Sequence, residues 1–75
     1  MYHSVQLNAD VWVDLERSPK LPIERVLLRG SATMRAQIRP HVINTGTEMV
    51  EMADLFFEDG TTARCIPFAW FTFVE

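Results

Sequence analysis

Among its 75 residues the chain has one cysteine, Cys65. A single thiol excludes a disulfide within the chain and a zinc site built on several cysteines, and it fits a reducing, cytoplasmic setting. Glycine is nearly as scarce. Gly30, Gly46 and Gly60 each stand alone, so there is no glycine-rich loop to cradle a phosphate. The two histidines, His3 and His41, are scattered, with no His-Glu-x-x-His or Cys-x-x-Cys spacing. That pattern predicts no metal and no cofactor. Lysine is almost missing too: six of the seven cations are arginine, the cation suited to planar, bidentate pairing. No apolar run approaches the roughly 18 residues that span a membrane, and Met1–Gln6 lacks the basic and apolar regions of a signal peptide. The expectation is a cytoplasmic protein with no membrane partner.

What is present is apolar and aromatic. Hydrophobic residues make up 48% of the chain, far above a disordered composition. The length allows one domain, residues 1–75, and a chain of this size buries only about 60% of its unfolded surface. Small domains without a disulfide lean on a partner, so self-association or another protein is expected. Six of the eight aromatic residues lie in the last twenty positions: Phe56, Phe57, Phe68, Trp70, Phe71 and Phe73. Tyr2 and Trp12 are the others.

Charge is segregated under a net value of −3. Residues 1–16 carry only acids; residues 17–39 carry six cations against Glu24; residues 40–75 carry six acids against Arg64. A basic central strand paired with acidic neighbours is the simpler explanation, since opposite charges across a sheet stabilise it. A functional patch of Arg25, Arg29, Arg35 and Arg39 is the alternative.

From Val5 to Glu16 apolar and polar residues alternate strictly, which predicts one half-buried strand, with Trp12 interrupting its polar face. Ser18-Pro19-Lys20-Leu21-Pro22 breaks regular structure. Residues 22–29 read equally well as a short helix begun by Pro22 and ended by Gly30, or as a strand. Alternation favours a strand over 31–39, with Pro40 as its end. Thr45-Gly46-Thr47 makes a turn. Residues 48–57 and 61–74 then form the arms of a hairpin around Asp59-Gly60, the strongest short-range hairpin signal. Pro67 marks a bulge or an edge position in the second arm.

A three-residue loop, Glu58-Asp59-Gly60 with Gly60 at positive φ, sets Asp54 opposite Arg64, Met52 opposite Ile66 and Val50 opposite Phe68. That register matches charge with charge and apolar with apolar, so it is preferred over a two-residue loop that sets Asp54 opposite Cys65. Both faces of the hairpin are then largely apolar. The fold expected is all-β, with a short helix near 22–29 as an option. It is a small antiparallel barrel or strongly curled sheet of about five strands, and it resembles SH3-like barrels at the level of fold only.

Nothing in these residues requires an enzyme. Cys65, alternating with small residues, reads as a buried core thiol. Glu48, Glu51, Asp54, Glu58 and Asp59 read as solubility and turn residues, and no small-molecule substrate is implied. The leading expectation is a non-catalytic interaction module, an accessory regulator or inhibitor. It would bind another protein, or itself as a homo-oligomer, through an aromatic sheet surface. Trp12, Phe57, Phe68, Trp70, Phe71 and Phe73 are its interface candidates, because interface cores favour aromatics. A nucleic-acid-binding barrel using Arg25, Arg29, Arg35 and Arg39 is the alternative, opposed by a pI near 5.2. A small subunit of a larger enzyme is the third.

Overall fold

The computed structural model describes residues 1–74 as an almost all-β chain: seven antiparallel strands in one curled, half-barrel sheet. The strands are β1 (His3–Leu7), β2 (Val11–Glu16), β3 (Glu24–Leu28), β4 (Thr33–Asn44), β5 (Met49–Phe57), β6 (Thr62–Pro67) and β7 (Phe71–Phe73). A single 3-10 turn, Phe68–Trp70, joins the last two. The order across the sheet is β3-β2-β6-β5-β4-β1-β7, so β3 and β7 are its two edges.

Seven strands replace the expected five because two long runs are each divided. Val5–Glu16 is not one strand. It bends at Asn8–Asp10, and its halves join opposite sides of the sheet: β1 between β4 and β7, β2 between β3 and β6. Short polar side chains fix the bend. Asn8 donates its side-chain amide to Ala69 O (2.8 Å) and its backbone N–H to Trp70 O (2.8 Å). Asp10 Oδ1 accepts the Gly30 N–H at 2.7 Å. Asn and Asp offer the backbone such alternatives to a straight ladder. The bend is thereby clasped from both edges of the sheet, near β3 on one side and β7 on the other. A Cβ at Gly30 would meet the Ala9 backbone at 2.8 Å, so glycine is what lets the two segments touch.

The second division is at the C-terminus. The arm expected over 61–74 leaves β5 after Pro67, turns through Phe68–Trp70 and pairs with β1 instead, Val5 opposite Phe73 and Leu7 opposite Phe71. Residues 24–28 form a strand; the helical alternative for 22–29 is not adopted. Pro40 does not end β4, which runs on to Asn44. Strand β1 covers β4 only as far as Ala36, so beyond it Pro40 sits in a half-edge strand where its missing donor costs little.

Alternation sorts the side chains onto two faces. The concave face holds the core: Val5, Leu7, Val13, Leu15, Ala36, Ala53, Leu55, Ala63, Ile66 and Phe71. Burying a Val, Leu, Ile or Phe side chain of this kind stabilises by about 1.5–3 kcal/mol. Val5, Leu7, Val13 and Leu15 share one face despite the bend, so the period-two pattern survives it.

The hairpin register is as expected near the tip. Phe57 N–H donates to Thr61 O (2.9 Å), Phe56 pairs with Thr62 and Leu55 with Ala63, and Gly60 has φ +91°. Beyond the tip it shifts by one residue. Arg64 and Cys65 together face Asp54 in a β-bulge, after which Ala53 pairs with Ile66 and Met52 with Pro67. The expected pairs Met52–Ile66 and Val50–Phe68 are therefore replaced. An extra residue on one strand flips the parity of all that follow it. Ile66 turns into the core and Cys65 is left on the convex face, exposed rather than buried.

Candidate functional site

Two places combine exposure with chemistry: the β7 edge and the convex cleft at the bulge. At the edge, rings run in series from the core to solvent. Phe68 and Phe71 centroids are 5.2 Å apart, Phe71 and Phe73 5.9 Å, and Phe73 meets His3 edge-on at 5.5 Å. Such tilted and edge-on contacts are the favourable ones for aromatic quadrupoles. Phe71 is buried at 6% exposure while Phe73, two residues on, is 48% exposed.

The backbone of β7 is equally asymmetric. Asn8 N–H bonds Trp70 O, and Val74 N–H bonds Ser4 O at 3.0 Å. Because antiparallel ladders alternate, Thr72 likewise turns toward Gln6, and Phe73 turns its N–H and C=O outward. Thr72 adds a side-chain bond to Asn8 Oδ1 at 2.8 Å. Phe71–Phe73 contain no charged residue.

The six aromatic candidates do not form one surface. Phe71 belongs to the core, and Phe57 and Phe68 are half-buried against it. Trp70, Phe73 and Trp12 are exposed, but Trp12 is on the convex face of β2, opposite Leu27 and away from the other two. Five of the six are neighbours along the chain, but the bulge and the turn at Phe68–Trp70 distribute them in space.

The arginines are dispersed in the same way. Arg25 meets Asp14, its cross-strand partner, at 3.5 Å; Arg29 meets Asp10 at 3.1 Å; Arg35 meets Glu58 at 3.5 Å and Ser4 Oγ at 3.1 Å. Three of the four are thus compensated locally by acids. Of these four, only Arg39 lacks an ion-pair partner among the described residues. No continuous basic stripe results.

On the convex face a polar chain crosses four strands. Arg64 Nε donates to Glu16 at 3.0 Å, and its Nη1 lies 3.6 Å from Asp54 Oδ2. Asp54 Oδ1 accepts the Cys65 N–H at 3.0 Å and lies 3.2 Å from His41 Nε2. Burial works against the charged Asp54 carboxyl. The Cys65 N–H, the His41 hydrogen bond and the charges of His41 and Arg64 outweigh it, holding the group below the usual carboxylate range. The Glu16 hydrogen bond and charge push Arg64 upward. Arg39, His41, Asp54, Arg64 and Cys65 line one open cleft. His41 and Cys65, distant in sequence, are brought together here; His3 lies apart, beside Phe73. The absence of ligand spacing hid the cluster, because its members come from three strands and meet only through register.

No protein-family model matches the chain, and no curated protein or solved structure matches it. No helix among the described residues is long and apolar enough to cross a membrane.

Proposed function

We propose that this is a non-catalytic protein-interaction module that takes an extended protein strand onto the β7 edge. Supporting this reading above all is Phe73: a half-exposed ring on an uncharged outermost strand, with its N–H and C=O turned away from the sheet. Strand addition uses such backbone groups for affinity and alternate side chains for selection. Trp70, Phe73 and Val74 are 43%, 48% and 41% exposed, so an apolar strand would find contact along the edge.

A second copy of the chain is the partner the edge suits first. Antiparallel pairing of β7 with itself is isologous and closes as a dimer. It also extends one sheet into two continuous halves and covers the aromatic residues that this small chain leaves outside. Sedimentation velocity at micromolar concentration tests it: the wild type should dimerise and Phe73→Lys should remain monomeric. A monomeric wild type would remove the second copy and leave another protein's strand as the occupant; its binding must then still fall in Phe73→Lys. Equal binding by both proteins would sink the edge reading.

A further inference from the structure

We propose that His41, Asp54 and Cys65 bind one divalent transition-metal ion of the zinc class, through imidazole nitrogen, carboxylate oxygen and thiolate sulfur. One donor atom from each residue lies within 4.8 Å of the other two. On a tetrahedral zinc ion such atoms stand about 3.3–3.7 Å apart, so side-chain rotation of roughly an ångström closes the site. Three adjacent strands, β4, β5 and β6, supply the donors, and the sheet therefore fixes their spacing. On the opposite face from the core, the cluster is independent of the β7 reading.

Cys65 itself sits in an unusual backbone conformation. It is the one non-glycine residue with positive φ, +58°, among those described. Left-handed backbone is unfavourable for a side chain, and a bulge needing only a turn would be served better by glycine. Strain of this kind, kept at an exposed thiol beside an imidazole and a carboxylate, points to what the thiol does there. The Cys65 N–H already orients the Asp54 carboxylate, as outer hydrogen bonds orient metal ligands. The ion would replace the His41–Asp54 hydrogen bond with two metal bonds.

Charge allows it. One thiolate and one carboxylate cancel the ion's two positive charges, with the thiol proton released to solvent on binding. Arg64, bonded to Glu16 at 3.0 Å, stays 3.6 Å from Asp54 Oδ2, while His41 and the Cys65 N–H meet the other oxygen, Oδ1, which is the one that would face the ion. Arg39 lines the same cleft and would face an anionic fourth ligand.

Cobalt(II) is the probe, added to reduced, chelator-treated protein. One equivalent should bind, giving a thiolate-to-cobalt charge-transfer absorption and the intense ligand-field bands of four-coordination, both removed by zinc. Cys65→Ser should abolish the charge-transfer absorption, and His41→Gln should weaken binding by about tenfold or more. His3→Gln, outside the cluster, should change nothing. For the unmodified chain, zinc should protect Cys65 from alkylation, which needs no variant to fold. No charge-transfer absorption, or cobalt binding indifferent to Cys65→Ser and His41→Gln, or zinc that leaves alkylation unchanged, would overturn the site.

Discussion

Strand β3 ends the sheet on one side with Glu24 and Arg25 in ion pairs to Arg17 and Asp14, and with Arg29 just beyond it bonded to Asp10. Strand β7 ends it on the other with Phe71-Thr72-Phe73, which has neither charge nor proline. Charged edges discourage strand pairing, and uncharged edges invite it. Both edges hang on the same core and are clasped to the same bend at Asn8–Asp10. Their difference therefore isolates the outer residues of each strand, and it teaches that openness at β7 is local rather than a failure of the fold to close.

The largest effect should come from guarding β7. Phe73→Lys should weaken strand binding about a hundredfold, equivalent to roughly 2.7 kcal/mol, as read by sedimentation or titration. Wild-type affinity in this variant would break the comparison at its functional end. Unclasping β3 comes next. Gly30→Ala presses a methyl against the Ala9 backbone, where the Cβ would lie 2.8 Å from Ala9 C. Chemical denaturation should show a loss of about 1–3 kcal/mol, with binding at β7 preserved once the protein is folded. Unchanged stability would mean that the clasp is not what holds this edge.

Gly60→Ala, at φ +91° in the loop between β5 and β6, should cost about 1 kcal/mol without changing the pairing of either edge strand. A smaller effect again is expected from stripping β3 of charge. Glu24→Thr with Arg25→Thr should alter monomer stability by less than about 1 kcal/mol, because both ion pairs are exposed. It should nevertheless add concentration-dependent association through β3. If none appears, charge is not the guard.

Acid should separate the edges as well. Asp10 is held below the usual carboxylate range by the Gly30 N–H, then by the hydrogen bond and charge of Arg29. A lowered folded value means that this stabilisation is complete above the unfolded value and is lost as pH falls through the folded one. Below about pH 4, amides of β3 should therefore exchange before those of β1 and β7. Simultaneous exchange at both edges would show that the Asp10 clasp contributes nothing to the difference.

Much of this architecture can be read from residue order. Alternation identifies every strand face from Val5 to Leu15, and Asp59-Gly60 specifies the loop and its left-handed glycine. The breaks are harder to see. Asn8 and Asp10 bend a run whose alternation gives no sign of a break at them, because their hydrogen-bond partners Trp70, Ala69 and Gly30 are remote in sequence. Pro67 signals a bulge or an edge in this arm, but the bulge's position at Arg64–Cys65 is hidden for a related reason. It is specified by how Asp54, Arg64 and Glu16 meet across strands, and matching Asp54 to Arg64 alone gives a regular ladder. That one residue moves Ile66 inward, Cys65 outward, and the sulfur to His41. Periodicity reports which residues share a face only until the first bulge, so the aromatic surface was legible in composition but not in position.

Amide hydrogen exchange at Phe73 tests the edge most directly, followed across a concentration series or with a bound partner strand. Dilute protein should exchange the Phe73 amide rapidly while Thr72 and Val74, bonded toward β1, stay protected; association should then slow Phe73 selectively. Association that leaves Phe73 exchange unchanged would contradict the account, since the partner would be held elsewhere.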